Sequence, residues 1–271
     1  MLVTIDTGGT KTLVASFNKK GELGEQIKFP TPKDPKEYIE ALKKVIIENY
    51  KNKPVKAIII AVPGIVKDGV AIWCNNLGWK NFDILSSMKG ILSNVPVLIG
   101  NDANLAGLSE TRFLKEIPAQ SLYVTISTGI GTGITTNGHI NQALQNSEAG
   151  HALIEYDGMV QEWEKFASGR AIRETYGKYA SEIKNKQIWY QIADRISRGF
   201  LAVIPILQPD VIIIGGSIGT YFDQYDKKLI NILKEKLPKH IVCPQFVQAK
   251  YPELAVIYGC YYYALDNIKD L

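Results

Sequence analysis

The 271-residue chain has only three cysteines, Cys74, Cys243 and Cys260, and they lie far apart. No C-x-x-C pair occurs, which argues against a disulfide framework and against a cysteine-built zinc site. No apolar run reaches the roughly 18 residues of a membrane span. No dense run of Lys or Arg points to nucleic acid. Low-complexity stretches are absent as well. The first apolar run opens at Leu2, so no secretory leader is expected, and a reducing, cytoplasmic setting is the expectation. What remains is an ordinary globular composition, 46% apolar and 21% charged, with a mild net charge of +4. That charge suits a small anionic ligand without demanding one. The length fits one large domain or two moderate ones.

Against this plain background stands a repeat. Val3-Thr4-Ile5-Asp6-Thr7-Gly8 near the start is echoed by Val124-Thr125-Ile126-Ser127-Thr128-Gly129 in the second half. Each copy is a β-branched apolar run that ends in a Gly- and Thr-rich turn. Such turns let backbone N–H groups and hydroxyls wrap an anion closely. Two of them, one in each half, point to a duplicated fold that holds a polyphosphate.

The element pattern supports duplication. Residues 2–5 and 13–17 read as a hairpin around the first Gly turn, followed by a strand near 26–29. Residues 35–53 carry Tyr38, Ile39, Leu42, Val45 and Ile46 at helical spacing. Residues 57–62 read as a buried parallel strand, 95–99 as another strand and 103–114 as a helix. The order then restarts. Residues 121–127 and 133–136 read as a hairpin with Asn137-Gly138 as its turn, and 163–179 and 187–207 as long helices. Residues 211–214 read as a buried strand stopped by Gly215-Gly216, with helices near 221–237 and 258–268 closing the chain. Each half is a β-sheet covered by helices, an α/β arrangement. The boundary is placed near Ile117-Pro118, giving lobes of 1–117 and 118–271, and the C-terminal helix is a candidate to cross back to the first lobe.

Several strings carry chemistry. In Asp6-Thr7-Gly8-Gly9-Thr10-Lys11 the glycines permit close approach to phosphate, and the carboxylate can hold Mg²⁺ through water; a plain β-turn is the alternative. Neither a Walker loop nor a dinucleotide fingerprint is present. Thr128-Gly129-Ile130-Gly131 is a second phosphate loop or a Gly-rich hairpin turn. Asn101-Asp102 directly follows an apolar run, so Asp102 is either a helix N-cap or a general base facing a substrate hydroxyl, with Asn101 orienting the ligand. Glu148-Ala149-Gly150-His151, with Glu164 downstream, offers carboxylate and imidazole groups suited to a polyol. Asn75-Asn76-Leu77-Gly78-Trp79 is a sugar-flanking loop or a turn with a core Trp. Gly215-Gly216 can lie against a nucleobase or open a helix toward phosphate.

Taken in this order, the strings resemble the ROK family of the actin/hexokinase-like phosphotransferase superfamily. The resemblance covers nearly the whole chain. It implies a two-lobe, ribonuclease H-like α/β fold with internal duplication, binding MgATP and a hexose between its lobes. By matching motif it implies that Asp6, Gly8, Gly9, Thr10 and Lys11 form the first phosphate site, and Thr128, Gly129 and Gly131 the second. It implies a nucleotide-base site at Gly215 and Gly216, a catalytic base at Asp102, and a sugar pocket of Gly64, Asn76, Asn101, Asp102, Glu148, His151 and Glu164. Glu164 is placed by its distance from Phe166-Ala167-Ser168-Gly169. The implied activity is an ATP-dependent hexose kinase with glucose favoured and the 6-hydroxyl as acceptor. Kinases for N-acylhexosamine, mannose or fructose, polyphosphate-dependent glucokinases and non-catalytic sugar sensors are the rivals. A homodimer is implied. One departure matters: the interval from Ala152 to Trp163, where most of the family carries a cysteine-rich zinc loop, has no cysteine. Zinc is therefore not expected, and Tyr156 and Trp163 are candidates to hold His151 instead.

Overall fold

Strand β1 (Leu2–Thr7) is buried at every position except Asp6, which is half-buried near the strand's end. It pairs antiparallel with β2 (Lys11–Phe17), which pairs with β3 (Leu23–Pro30). The chain then needs a crossover to reach the other side of β1, and α1 (Pro35–Tyr50) supplies it. Asp34 caps α1 by accepting the N–H groups of Lys36 and Glu37, Pro35 opens its first turn, and Tyr38, Ile39, Leu42, Ile46 and Tyr50 form its buried face. Strand β4 (Ala57–Val62), buried throughout, returns parallel to β1. A three-stranded antiparallel sheet of β5 (Ile65–Lys67), β6 (Val70–Cys74) and β7 (Trp79–Asp83) follows, then the short α2 (Ile84–Met88). Strand β8 (Val97–Asn101) completes the main sheet beside β4, and α3 (Asp102–Arg112) starts directly after its last residue.

The second half repeats this plan. Strand β9 (Gln120–Ile126) pairs antiparallel with β10 (Ile130–Thr136), which pairs with β11 (His139–Ile140). A 3₁₀ turn over Ala149–His151 leads into a hairpin of β12 (Leu153–Tyr156) and β13 (Met159–Glu162). Helices α4 (Trp163–Ala167), α5 (Gly169–Tyr176) and α6 (Lys186–Leu207) come next. Strand β14 (Val211–Gly215) lies parallel to β9, and α7 (Gly216–Gly219) and α8 (Asp226–Lys236) lead to β15 (Gln245–Gln248). Helix α9 (Ala255–Asn267) ends the ordered elements.

A computed structural model describes residues 1–269. The two main sheets have the orders β3-β2-β1-β4-β8 and β11-β10-β9-β14-β15. In both, the strand that ends in a Gly turn is central, with its hairpin partner on one side and a parallel strand on the other. The duplication expected from the repeated strings is thus a duplication of topology. The chain forms two compact units, Met1–Ser109 with the segment from Val256 on, and Glu110–Ala255. The division falls within α3, not at Ile117-Pro118. Helix α9 packs in the first unit: the rings of Tyr258 and Tyr261 lie 5.5 and 4.7 Å from that of Phe17, and Cys260 Sγ donates to the Ile5 carbonyl at 3.7 Å. Each unit has its own core. Ile5, Ile58, Ile60 and Trp79 belong to the first, and Val124, Trp163, Ile196 and Phe200 to the second.

The structure revises three readings of the chain. Asn137-Gly138, both left-handed at φ 50° and 74°, turn β10 into β11, whereas β9 and β10 are joined through the second Gly loop. The helical stretch after Trp163 breaks at Ser168, whose hydroxyl caps α5, and α5 ends at the left-handed Gly177. Helix α8 starts only at Asp226, after a 3₁₀ turn at Phe222–Gln224.

Candidate active site

In the first unit, Asp102 stands where β8 gives way to α3. The N-cap role that could have claimed it belongs to its neighbour. Asn101 Oδ1 accepts the Asn104 N–H at 2.8 Å, and Asn101 Nδ2 donates to the Gly64 carbonyl at 2.8 Å. One side chain therefore caps α3 and fastens it to the loop after β4. Gly64 sits there at φ +83°, and a Cβ on it would collide with the Trp73 carbonyl. Asp102 is left with the adjacent Ala103 N–H at 2.8 Å. Burial raises its pKa to about 6, against the opposing pull of the Ala103 N–H. Asp6, at the end of β1, is raised further, to about 7, by burial and then by the charge of Asp102. Among the described residues neither carboxylate has an ion-pair partner. Two desolvated carboxylates without a counter-charge make a site that a hydrated divalent cation fits.

The first Gly loop is the β1–β2 turn, closed by Gly8 N–H donating to the Lys11 carbonyl at 3.0 Å. Thr10 and Lys11 are exposed on it, while Gly8 and Gly9 are half-buried. Thr7 is not available to a ligand: its buried hydroxyl pairs with Tyr38 OH at 2.7 Å. Asn76 lies on an exposed turn between β6 and β7, with Gly9 against it. Sequence reasoning missed Lys33, whose ammonium donates to the Gly9 and Asn76 carbonyls at 2.8 Å each.

In the second unit, the Gly loop between β9 and β10 is built around Glu164. The Ile130 N–H donates to Glu164 Oε2 at 3.2 Å, and a Cβ on Gly129 would approach the same oxygen to 2.5 Å. Gly129 thus makes room for a carboxylate as much as for a phosphate. Gly131 lies inside β10, paired with Thr125. The 3₁₀ turn carrying Glu148 and His151 rests on β10. Its Ala149 N–H donates to Thr132 Oγ1 at 3.4 Å, and any side chain at Gly150 would meet the Ile130 carbonyl. His151 Nδ1 is 3.4 Å from Glu162 Oε1, because the β12–β13 register brings Glu162 opposite Leu153, two residues past His151. Glu162, absent from the expected site, holds His151. The two aromatics expected to do so instead pack inward: Tyr156 stacks on Phe166 at 4.4 Å, and Trp163 meets Phe200 edge-on. His151, Glu162 and Glu164 offer ligand atoms within 4.8 Å of one another, three donors where a structural zinc site normally has four.

A cavity of about 570 Å³ opens beside this loop, lined among others by Thr128, Arg170, Arg173, Tyr179, Gly216 and Tyr221. Gly215 closes β14, and Gly216, at φ +77° against the Ile126 backbone, starts α7. The Arg173 guanidinium lies over the Tyr179 ring at 4.2 Å. A flat cationic and aromatic wall beside exposed Gly and Thr backbone suits a nucleotide, base on one side and phosphates on the other. The two arginines were also missed, although Ser168 followed by Gly169 marks the helix start that presents them.

The repeated sheet, its two Gly loops and a carboxylate at a strand–helix junction define a hexokinase-like phosphotransferase. The chain belongs to the ROK family, whose model matches residues 2–267. It is 31% identical over 276 residues to the Putative fructokinase of Bacillus subtilis (strain 168), covering 90% of each chain. Among solved structures it resembles the inorganic polyphosphate/ATP-glucomannokinase of Arthrobacter sp. strain KM, with 29% identity, a TM-score of 0.74 and coverage of 98% of this chain and 99% of that one. It also shares the fold of a ROK family glucokinase from Streptomyces griseus in complex with glucose and AMPPNP, with 20% identity, a TM-score of 0.82 and the same coverage.

Proposed function

We propose that the protein is an ATP-dependent hexose kinase that phosphorylates the primary 6-hydroxyl of its sugar, with Asp102 as general base. The observation that carries this reading is the division of labour at β8–α3. Asn101 does the capping, and Asp102 is left with a raised pKa, near 6, and, among the described residues, no cationic partner. A carboxylate of that pKa is ionised at neutral pH and basic enough to accept a hydroxyl proton as the oxygen attacks phosphorus. In this reading Asn101 and Gly64 shape the sugar side of the first unit, and Asn76 borders it. In the second unit, Glu148, His151 and Glu164 offer groups suited to sugar hydroxyls. His151 Nδ1 lies 3.4 Å from Glu162 Oε1, a contact that orients the imidazole ring. Residues 8–11 and Thr128–Gly129 take the phosphates, and Arg173, Tyr179 and Gly216 take the base. Asp6 would hold Mg²⁺ through water, and the ion would neutralise charge on the transferring phosphoryl group.

Fructose is placed ahead of glucose as acceptor, because the 31%-identical relative that spans the chain carries the fructokinase name. ATP is placed ahead of polyphosphate, because the Tyr179 ring, which Arg173 overlies, offers a flat apolar surface that a base uses and a phosphate chain does not. A panel of fructose, glucose, mannose and N-acetylmannosamine against ATP and polyphosphate tests both choices. Sugar phosphate formed from MgATP supports the kinase reading. Absence of transfer across the panel overturns it.

A further inference from the structure

Lys33 is an exposed residue in the short connection between β3 and α1, and it is held at both ends. Its carbonyl accepts the Trp79 indole N–H at 2.7 Å, and the next residue, Asp34, caps α1. Its ammonium donates to the Gly9 carbonyl and, from a residue 43 positions away in sequence, to the Asn76 carbonyl, at 2.8 Å each. Two of three N–H groups are used. Gly9 belongs to the loop read as the first phosphate site, and Asn76 to the turn read as bordering the sugar. A Cβ on Gly9 would lie 3.7 Å from Asn76 Cβ, so the two turns already touch, and one cation fastens both.

We propose that Lys33 is a positioning residue that braces the phosphate loop to the sugar-side turn, so that donor and acceptor binding reinforce each other. The physical basis is shared ordering. Neither turn has regular secondary structure at Gly9 or Asn76, and each carbonyl is fixed by the same ammonium. A ligand that orders one turn fixes the ammonium and with it the other turn, so the second ligand meets a loop already in place. Arginine's planar fork could reach two carbonyls only in a changed geometry, so Lys33→Arg should restore the coupling in part.

The inference rests on the reading of these loops as donor and acceptor sites, and two measurements separate the two claims. Calorimetry of the full chain with fructose or glucose, with and without Mg²⁺ and AMPPNP, reads the coupling. For the parent we expect the nucleotide to tighten sugar binding by about tenfold, within the usual range of coupling between sites. Lys33→Met should keep each separate affinity within about threefold of the parent and lose that gain. An equal gain in Lys33→Met, no gain in the parent, or a selective loss of nucleotide affinity with the gain intact overturns the coupling. Amide hydrogen exchange of the ligand-free protein reads the brace whatever the substrate. Lys33→Met should speed exchange in residues 7–12 and 74–78 together. Acceleration of one segment alone, or of neither, overturns the brace even if the protein proves to be a hexose kinase.

Discussion

At the scale of single residues, the site turns on who bonds to whom at β8–α3. The string Asn101-Asp102 allowed the cap to be Asp102, and the structure gives it to Asn101. Adjacency alone could not have shown this, because both side chains are common caps and the choice depends on Gly64, 37 residues away. The pKa values give the pH dependence its sign. Asp102 at about 6 and Asp6 at about 7 must lose protons to act as base and as cation holder. The two interact, so kcat/KM should rise with pH across the window from 6 to 7 and then level off. Raising Mg²⁺ should move the limb to lower pH. A profile flat from pH 5 to 8 would remove Asp102 as the base. Glu148→Ala should raise the sugar KM by a factor equivalent to about 1–3 kcal/mol, the cost of an unpaired polar group in a closed site. Steady-state kinetics with each substrate varied checks this, and a defect confined to ATP would count against the assignment.

At the scale of elements, the two Gly loops look alike in sequence and differ in what they pack against. A Cβ on Gly8 would approach the Lys11 carbonyl to 2.8 Å, a backbone atom of its own turn, whereas one on Gly129 meets the Glu164 carboxylate. Gly8→Val should therefore weaken nucleotide binding and spare the sugar. Gly129→Val should weaken both, since it displaces Glu164. Calorimetry with each ligand separately distinguishes the two, and equal ligand profiles for the variants would mean that the Glu164 contact is incidental. The β12–β13 hairpin had a readable signal, Asp157-Gly158, both left-handed in the structure, between short β-prone runs. Its consequence, a carboxylate returned to His151, follows only from the register. The β5–β6 hairpin carried the same signal in Asp68-Gly69, both left-handed, whereas β7 was not legible, because Leu77-Gly78 reads equally well as loop. Zinc should be well below one per chain in the purified protein by elemental analysis. Glu164 is engaged by Ile130, and among the described residues only His151 and Glu162 lie close enough to join it as donors. Stoichiometric zinc, with activity lost on chelation and regained on its return, would contradict this.

At the scale of the whole molecule, duplication was the most legible property. A six-residue echo corresponds to two five-stranded sheets of the same order, in which the Gly turn fixes the hairpin partner on one side of the central strand and a crossover brings the parallel partner to the other. The exact division of the chain was less legible. Helix α3 runs without a break from Asp102 to Arg112 through the point where the units part, and Gly107, two residues before it, does not interrupt the helix. Stability should carry the imprint of the two carboxylates. Their folded pKa values stand above the unfolded value of 3.8, so the folded ligand-free protein binds protons more tightly than the unfolded chain. Their contribution is present below about pH 4 and is lost as pH rises through 6 and 7. Thermal melts of the parent should fall relative to an Asp6→Asn/Asp102→Asn variant over that range, and parallel curves would show that the burial is relieved by solvent. The central claim is that Asp102 takes the proton from the sugar hydroxyl. It is tested most directly by single-turnover transfer from MgATP to the preferred hexose in Asp102→Asn. The account predicts a rate lower by about 10²–10⁴, the range for loss of a general base, with sugar affinity little changed. Near-parental transfer in the folded variant would contradict it.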